Sequence, residues 1–192
     1  MSRPAPAFLA PGPLLLAALI FVAALTRLLP HPPNFSPVAA IALFAGAHFA
    51  SRPWAFLVPL LAMLVSDLVL AGLHGGLYAS WFASPGPWVV YLCIALTTAL
   101  GFGMRGRAGP GRVLGHALAG ALLFFTITNF AAWLFQPEPL YPMTGTGLVA
   151  AYVAGIPFFK WTLAATLLYS ALLFGGFGML RRHAPALRAS TV

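Results

Sequence analysis

Six apolar runs alternate with short polar connections along this chain: about Pro13–Leu29, Phe35–Ala50, Pro53–Leu73, Trp88–Met104, Val113–Phe135 and Gly147–Leu180. The first five lie near the roughly 20 residues that cross a ~30 Å hydrocarbon core as an α-helix; the second is the shortest, and either crosses with little tilt or sits partly within the bundle. The sixth is too long for one pass. Proline has no backbone N–H and its ring crowds the preceding helical turn, so Pro157 is expected to divide that run. The pieces would be a short capping helix over about 147–156 and a spanning helix over about 158–180. With the other spans at about 13–29, 35–50, 53–73, 88–104 and 113–135, the pattern predicts one membrane domain over 1–192. It would be all-α, a six-transmembrane-helix bundle with both termini cytoplasmic and a binding pocket on its outer face. Arg3 and the apolar run Leu14–Leu25, with small residues at Ala23 and Ala24, have the outline of a signal peptide. The run leads straight into Arg27 and a proline-rich turn, so it reads as a retained first helix.

Composition agrees with the pattern. The chain is 61% hydrophobic and 6% charged, and its mean hydropathy is +0.93, which places it in the membrane class. A net charge of +8 would also suit a nucleic-acid protein. The cations sit in short connections between apolar runs, however, and no basic patch with interleaved aromatics exists, so no nucleic acid is expected. Arg3, Arg52, Arg105, Arg107, Arg112, Arg181, Arg182 and Arg188 flank alternate ends of the runs. Lys and Arg accumulate in cytoplasmic loops, so these ends read as inside. Arg27 and Lys160 are the exceptions.

The opposite ends are joined by RLLPHPPNFSP, GLHGGLYASWFASPGP and FQPEPLYPMTGTG, which are rich in proline, glycine, aromatics and hydrogen-bonding groups. That is where a small-molecule substrate is expected. Trp81, Trp88, Trp133 and Trp161 fall near this outer boundary and Trp54 near the inner one. Interfacial anchoring explains such positions. For Trp133, stacking on a flat ligand is equally open.

Asp67 is the most informative position. It lies within FLVPLLAMLVSDLVLAG, four or five residues short of the outer end of its span. A carboxylate at mid-bilayer costs about 2.5–3.5 kcal/mol on insertion scales and normally faces the bundle interior or a wet cavity. Arg27 and Lys160 are its available partners. A structural ion pair, a polar cavity floor and proton coupling all remain open. In FFTITNFAAWLF, Thr126, Asn129 and Trp133 share one helical face; the Asn amide is expected to seek a partner beyond its own helix. The loop EPLYPMTGTGL offers Tyr141 and Thr144 and reads either as a lid or as a compact connector. His31, in PHPPNF, and His74, in GLHGG, are loop imidazoles of the kind that can carry a proton or ligate a metal, although a surface-loop histidine more often does neither.

The absences narrow the chemistry. The chain has no G-x-x-x-x-G-K-[ST], no G-x-S-x-G and no H-E-x-x-H. Its two acids, Asp67 and Glu138, do not pair along the sequence. Tyr78 with His74, four residues apart, is the nearest approach to a nucleophile and base, so an enzyme is not expected. Cys93 sits mid-run as a small apolar residue, and no Cys/His cluster has zinc spacing. No cofactor or metal is expected.

The segments PHPPNFSPVAAIALFAG, the Asp67 helix, FFTITNFAAW and YPMTGTGLVAAYVAGIPFF, spread between Arg27 and Phe174, resemble the substrate-binding S components of energy-coupling factor (ECF) vitamin transporters. The solitary cobalamin-transporting type is the characterised group suggested. The resemblance implies a bacterial cytoplasmic membrane protein that captures a vitamin-like nutrient at the extracytoplasmic face. Release inward would follow reorientation of the bundle, fuelled by a separate transmembrane subunit with ATPases. S components commonly dock through Ala-x-x-x-Ala on the first helix. Here Ala17 and Ala18 are followed four residues later by Phe21 and Val22, a departure that fits a solitary member better. Some cobalamin binders also use a cysteine near the outer face as a cobalt ligand; Cys93 lies too deep and too apolar for that role, so either His31 or His74 would substitute or no ligation occurs.

The expected site therefore has Arg27, Asp67 and Lys160 at the floor of the cavity. Asn129, Trp133, Tyr141 and Thr144 would supply hydrogen bonds and stacking, and His31, Asn34, His74 and Tyr78 would complete the rim. The alternative is a structural or assembly protein without a ligand, in which Asp67 is fully paired and no cavity opens outward.

Overall fold

A computed structural model describes residues 9–76, 80, 82–136, 140–188 and 191–192. Six helices account for most of them: α1 Pro11–Leu25, α2 Val38–His48, α3 Arg52–His74, α4 Pro85–Gly101, α5 Pro110–Leu134 and α6 Gly145–His183. Among the described residues there is no strand, only an isolated bridge between Phe49 and Thr191. Proline stands in the first turn of α1, α3, α4 and α5, where its missing N–H costs nothing. Among the described residues, five helices are long and apolar enough to cross a membrane. The chain thus has the build of a multi-pass membrane protein.

The exception is α2. Its 11 residues extend about 16 Å, half of a ~30 Å hydrocarbon core, where the apolar run 35–50 predicts a full span. The helix starts only after Pro37, and the chain turns extended at Phe49. All 11 residues are buried, because VAAIALFAGAH has no polar face to offer a solvent. It touches each of the other five helices and forms the centre of the bundle. Close approach to α4 depends on two glycines: a Cβ on Gly46 would overlap the Thr98 carbonyl, and one on Gly101 would stand 2.6 Å from the Leu43 carbonyl oxygen.

The expected break at Pro157 is absent; α6 is one helix of 39 residues. Pro157 and Val153, whose carbonyl loses its helical partner, both lie on the exposed side, where nothing packs to enforce a kink. On the other side, Phe125 of α5 meets Tyr152 before the proline and Phe159 after it, at ring distances of 5.8 and 4.9 Å. That splint holds the two halves in line.

The bundle has two unlike ends. At one, Arg105 donates to the carbonyls of Gly46, Phe49 and Ala50, closing the C-terminus of α2. Its guanidinium lies 4.4 Å from the centre of the Phe102 ring. Burial, and then the nearby Arg52 charge, hold Arg105 below the usual arginine range. The backbone N–H of Val192 donates to the His48 carbonyl, and Arg181 donates to that of Val192. The other end carries Arg27, Asn34, His74 and Asn129.

Candidate functional site

The site is built on the floor made by Arg27 and Asp67. Arg27 sits in the 3₁₀ turn Thr26–Leu28 that follows α1. Its Nη1 donates to Asp67 Oδ1 on α3 at 2.6 Å, and the side chains are 12% and 1% exposed. The same nitrogen reaches Ser66 Oγ and Met63 Sδ. Tyr91 of α4 donates to the other carboxylate oxygen at 2.9 Å. One carboxylate thereby ties together α1, α3 and α4. Lys160, the alternative partner, is instead exposed on α6, with Nζ 5.2 Å from the centre of the Trp161 ring.

Above this floor opens a cleft of about 840 Å³ lined by Arg27, His31, Asn34, Ser36 and His74 among apolar residues that include Val90 and Phe124. A second cavity of about 280 Å³ shares Asn34, Val90 and Phe124 and continues to Thr128, Asn129 and Thr162. The two form one run across the end of the bundle. Asp67 lines neither; its carboxylate is occupied inside the protein.

Local sequence sets the rim. Pro32-Pro33-Asn34-Phe35 makes a reverse turn closed by the Phe35 N–H on the Pro32 carbonyl. Asn34 sits at φ +63°, a conformation that asparagine tolerates better than most residues. The turn delivers the chain to α2, which begins at Pro37 without a side-chain cap. Val38 and Ser36 line the cleft, and the buried Ser36 hydroxyl has no partner. The positive end of the α2 dipole therefore faces the cavity. His31 and His74 are exposed, with Nδ1 2.9 and 3.0 Å from the carbonyls of Pro32 and Leu70.

Asn129 only half meets its expectation. Its amide donates to the Phe125 carbonyl of its own helix at 2.8 Å, while Oδ1 packs on Gly155 of α6, where a Cβ would overlap it. Trp133, Tyr141 and Thr144 line neither cavity. Trp133 Nε1 donates to the Pro142 carbonyl at 3.1 Å, Gln136 bonds both backbone groups of Tyr141, and Thr144 caps α6. The described part of that loop is a compact connector. Tyr78, Trp81 and Glu138 lie outside the described residues.

Chemically the cleft offers hydrogen-bond donors: a guanidinium, an unpaired hydroxyl, an amide, two imidazoles and a helix N-terminus. Among the described residues no group of three His, Cys, Asp or Glu side chains converges to hold a metal. Ser36, Tyr91, Ser66 and Thr162 were not among the residues singled out from sequence. A lone tyrosine in the apolar VVYLCIALTT and the Ser-Asp pair in the third run were the available signals.

A family model matches residues 9–187. The chain belongs to the DUF6580 family. This family is described as one of unknown function. No curated protein and no solved structure matches. The part of this DUF6580 chain that the family model matches takes in the whole cleft, from Arg27 to Thr162.

Proposed function

We propose that this chain is the substrate-binding subunit of a membrane transporter, or a solitary transporter, for a small vitamin-like nutrient, with cobalamin among the candidates. The nutrient is captured at the extracytoplasmic face of a bacterial cytoplasmic membrane. In this reading the arginine-rich end and both termini face the cytoplasm, and α2 completes a sixth, half-length crossing. The observation that carries the reading is the continuous cleft from Arg27 to Asn129 at the open end of α2. Ligand sites are typically concave and mostly apolar, with a few placed polar groups, and this cleft fits that description. The resemblance to S components supplies the substrate class and a candidate energising subunit with ATPases.

The structural or assembly reading draws on a different observation, the full engagement of Asp67 by Arg27 and Tyr91. It predicts a cleft that stays empty in use. Mass spectrometry of small molecules extracted from gently purified protein, taken from vitamin-supplemented cells, separates the two. A vitamin or corrinoid enriched with the parent and reduced at least tenfold with an Asn34→Ala/Asn129→Ala double variant is the expected result. A folded parent that carries no such molecule would favour the structural reading.

A further inference from the structure

Near the arginine-rich end, α5 and α6 part to leave a groove of about 520 Å³. Its α6 wall runs from Leu167 to Arg182 by way of Ala171, Gly175 and Gly178. That is fifteen residue steps, or about 22 Å of helix. A Cβ placed on Gly175 or Gly178 would find nothing within 4 Å. Glycine is the poorest helix former after proline, and no neighbour in the chain uses the room these two leave. Ser170 lines the same groove, is 2% exposed, and its hydroxyl has no partner. The fold leaves this space for something outside itself.

The groove is open along one side, so its occupant lies against the fold rather than inside it. Carbon atoms in contact stand ~3.5–4.0 Å apart, so one hydrocarbon chain needs only about 15–20 Å² of cross-section, which the room beside Gly175 and Gly178 supplies.

Charge selects the head of the ligand. Arg182 is exposed at the mouth, and Ala108, next to Arg107, lines the groove. Neither guanidinium has a hydrogen bond or ion pair among the described residues. Asp67 is held by Arg27 at the far end, and no described Asp or Glu lies at this one. We propose that the groove binds an anionic phospholipid, with one acyl chain along the Gly175–Gly178 stripe and the headgroup phosphate on Arg182 and Arg107.

Native mass spectrometry of the full chain, equilibrated in micelles with equal dioleoyl-phosphatidylglycerol and dioleoyl-phosphatidylcholine, tests this. One phosphatidylglycerol should be retained per chain, in preference to phosphatidylcholine by about tenfold, as expected when one or two arginines meet an anionic headgroup. Arg107→Gln/Arg182→Gln should bring the ratio near one. Gly178→Leu, which fills the groove and leaves both arginines, should lower retention of both lipids, with the unfolding temperature of each variant reporting an intact fold. Equal retention of the two lipids by the parent would overturn the proposal. So would parent-like retention in both variants, or a second polypeptide seated on the groove and displaced by Gly178→Leu.

Discussion

The two ends of α2 are built in opposite ways. At its C-terminus the backbone is closed by Arg105 on three carbonyls and by the Val192 N–H on His48. Rings of Phe44, Phe174 and Phe177 surround the imidazole at 4.9–5.3 Å, and His48 Nε2, buried among them, has no partner among the described residues. At its N-terminus no side chain caps the helix, Ser36 keeps an unpaired hydroxyl, and a cleft opens above. A buried helix end normally finds partners for its free backbone groups. Where one end is closed and the other left bare, the bare end is the one suited to a ligand.

The largest test of this contrast concerns the floor beneath the open end. Asp67→Ala leaves Arg27 largely buried without its counter-charge and should cost about 3–5 kcal/mol, read by denaturant unfolding in detergent. A loss under 1 kcal/mol would mean that the ion pair does not brace α1, α3 and α4. At the waist, Gly46→Ala drives a methyl group into the Thr98 carbonyl and should cost about 1–3 kcal/mol by forcing α2 and α4 apart. Removing the closure with Arg105→Ala leaves the part-buried carbonyls of Gly46 and Phe49 without this donor, at about 1–3 kcal/mol, without weakening any ligand held at the far end. Smallest in stability is Ser36→Ala, within about 0.5 kcal/mol because no contact is lost. Its effect should appear in ligand retention instead. If Arg105→Ala and Ser36→Ala exchange these outcomes, the contrast between the ends is wrong.

That the chain is helical, with several runs long and apolar enough to cross a membrane, was legible in sequence; the starts were less so, since α4 and α5 open at Pro85 and Pro110, three residues before the apolar runs from Trp88 and Val113. The depth of α2 was legible only as one of two alternatives left open by its shortness. Hydropathy scores Phe35–Ala50 as a span whether it faces lipid or lies enclosed, and the marks of enclosure are the small residues that let α4 come close. Pro157 misled because its effect depends on what packs beside it, and Phe125 is 32 residues away in sequence. Asp67 announced a buried charge, but Arg27 and Lys160 stood at the same predicted depth, and only three-dimensional packing chooses between them. In the site, Arg27, His31, Asn34, His74 and Asn129 come together as cavity lining, while Trp133, Tyr141 and Thr144 are drawn into a self-bonded connector. Gln136, which ties that connector, carries no sequence signal that separates it from any exposed glutamine.

The most direct measurement is thiol accessibility at the two ends of α2 in a Cys93→Ser background. In the orientation proposed above, His74→Cys, at the exposed rim of the cleft, should react with a membrane-impermeant maleimide in intact cells, whereas Ala47→Cys, 1% exposed in the parent, should stay silent even after permeabilisation. A His74→Cys that reacts only once the membrane is opened, or an Ala47→Cys that labels freely, would contradict an open outer end set against a closed inner one.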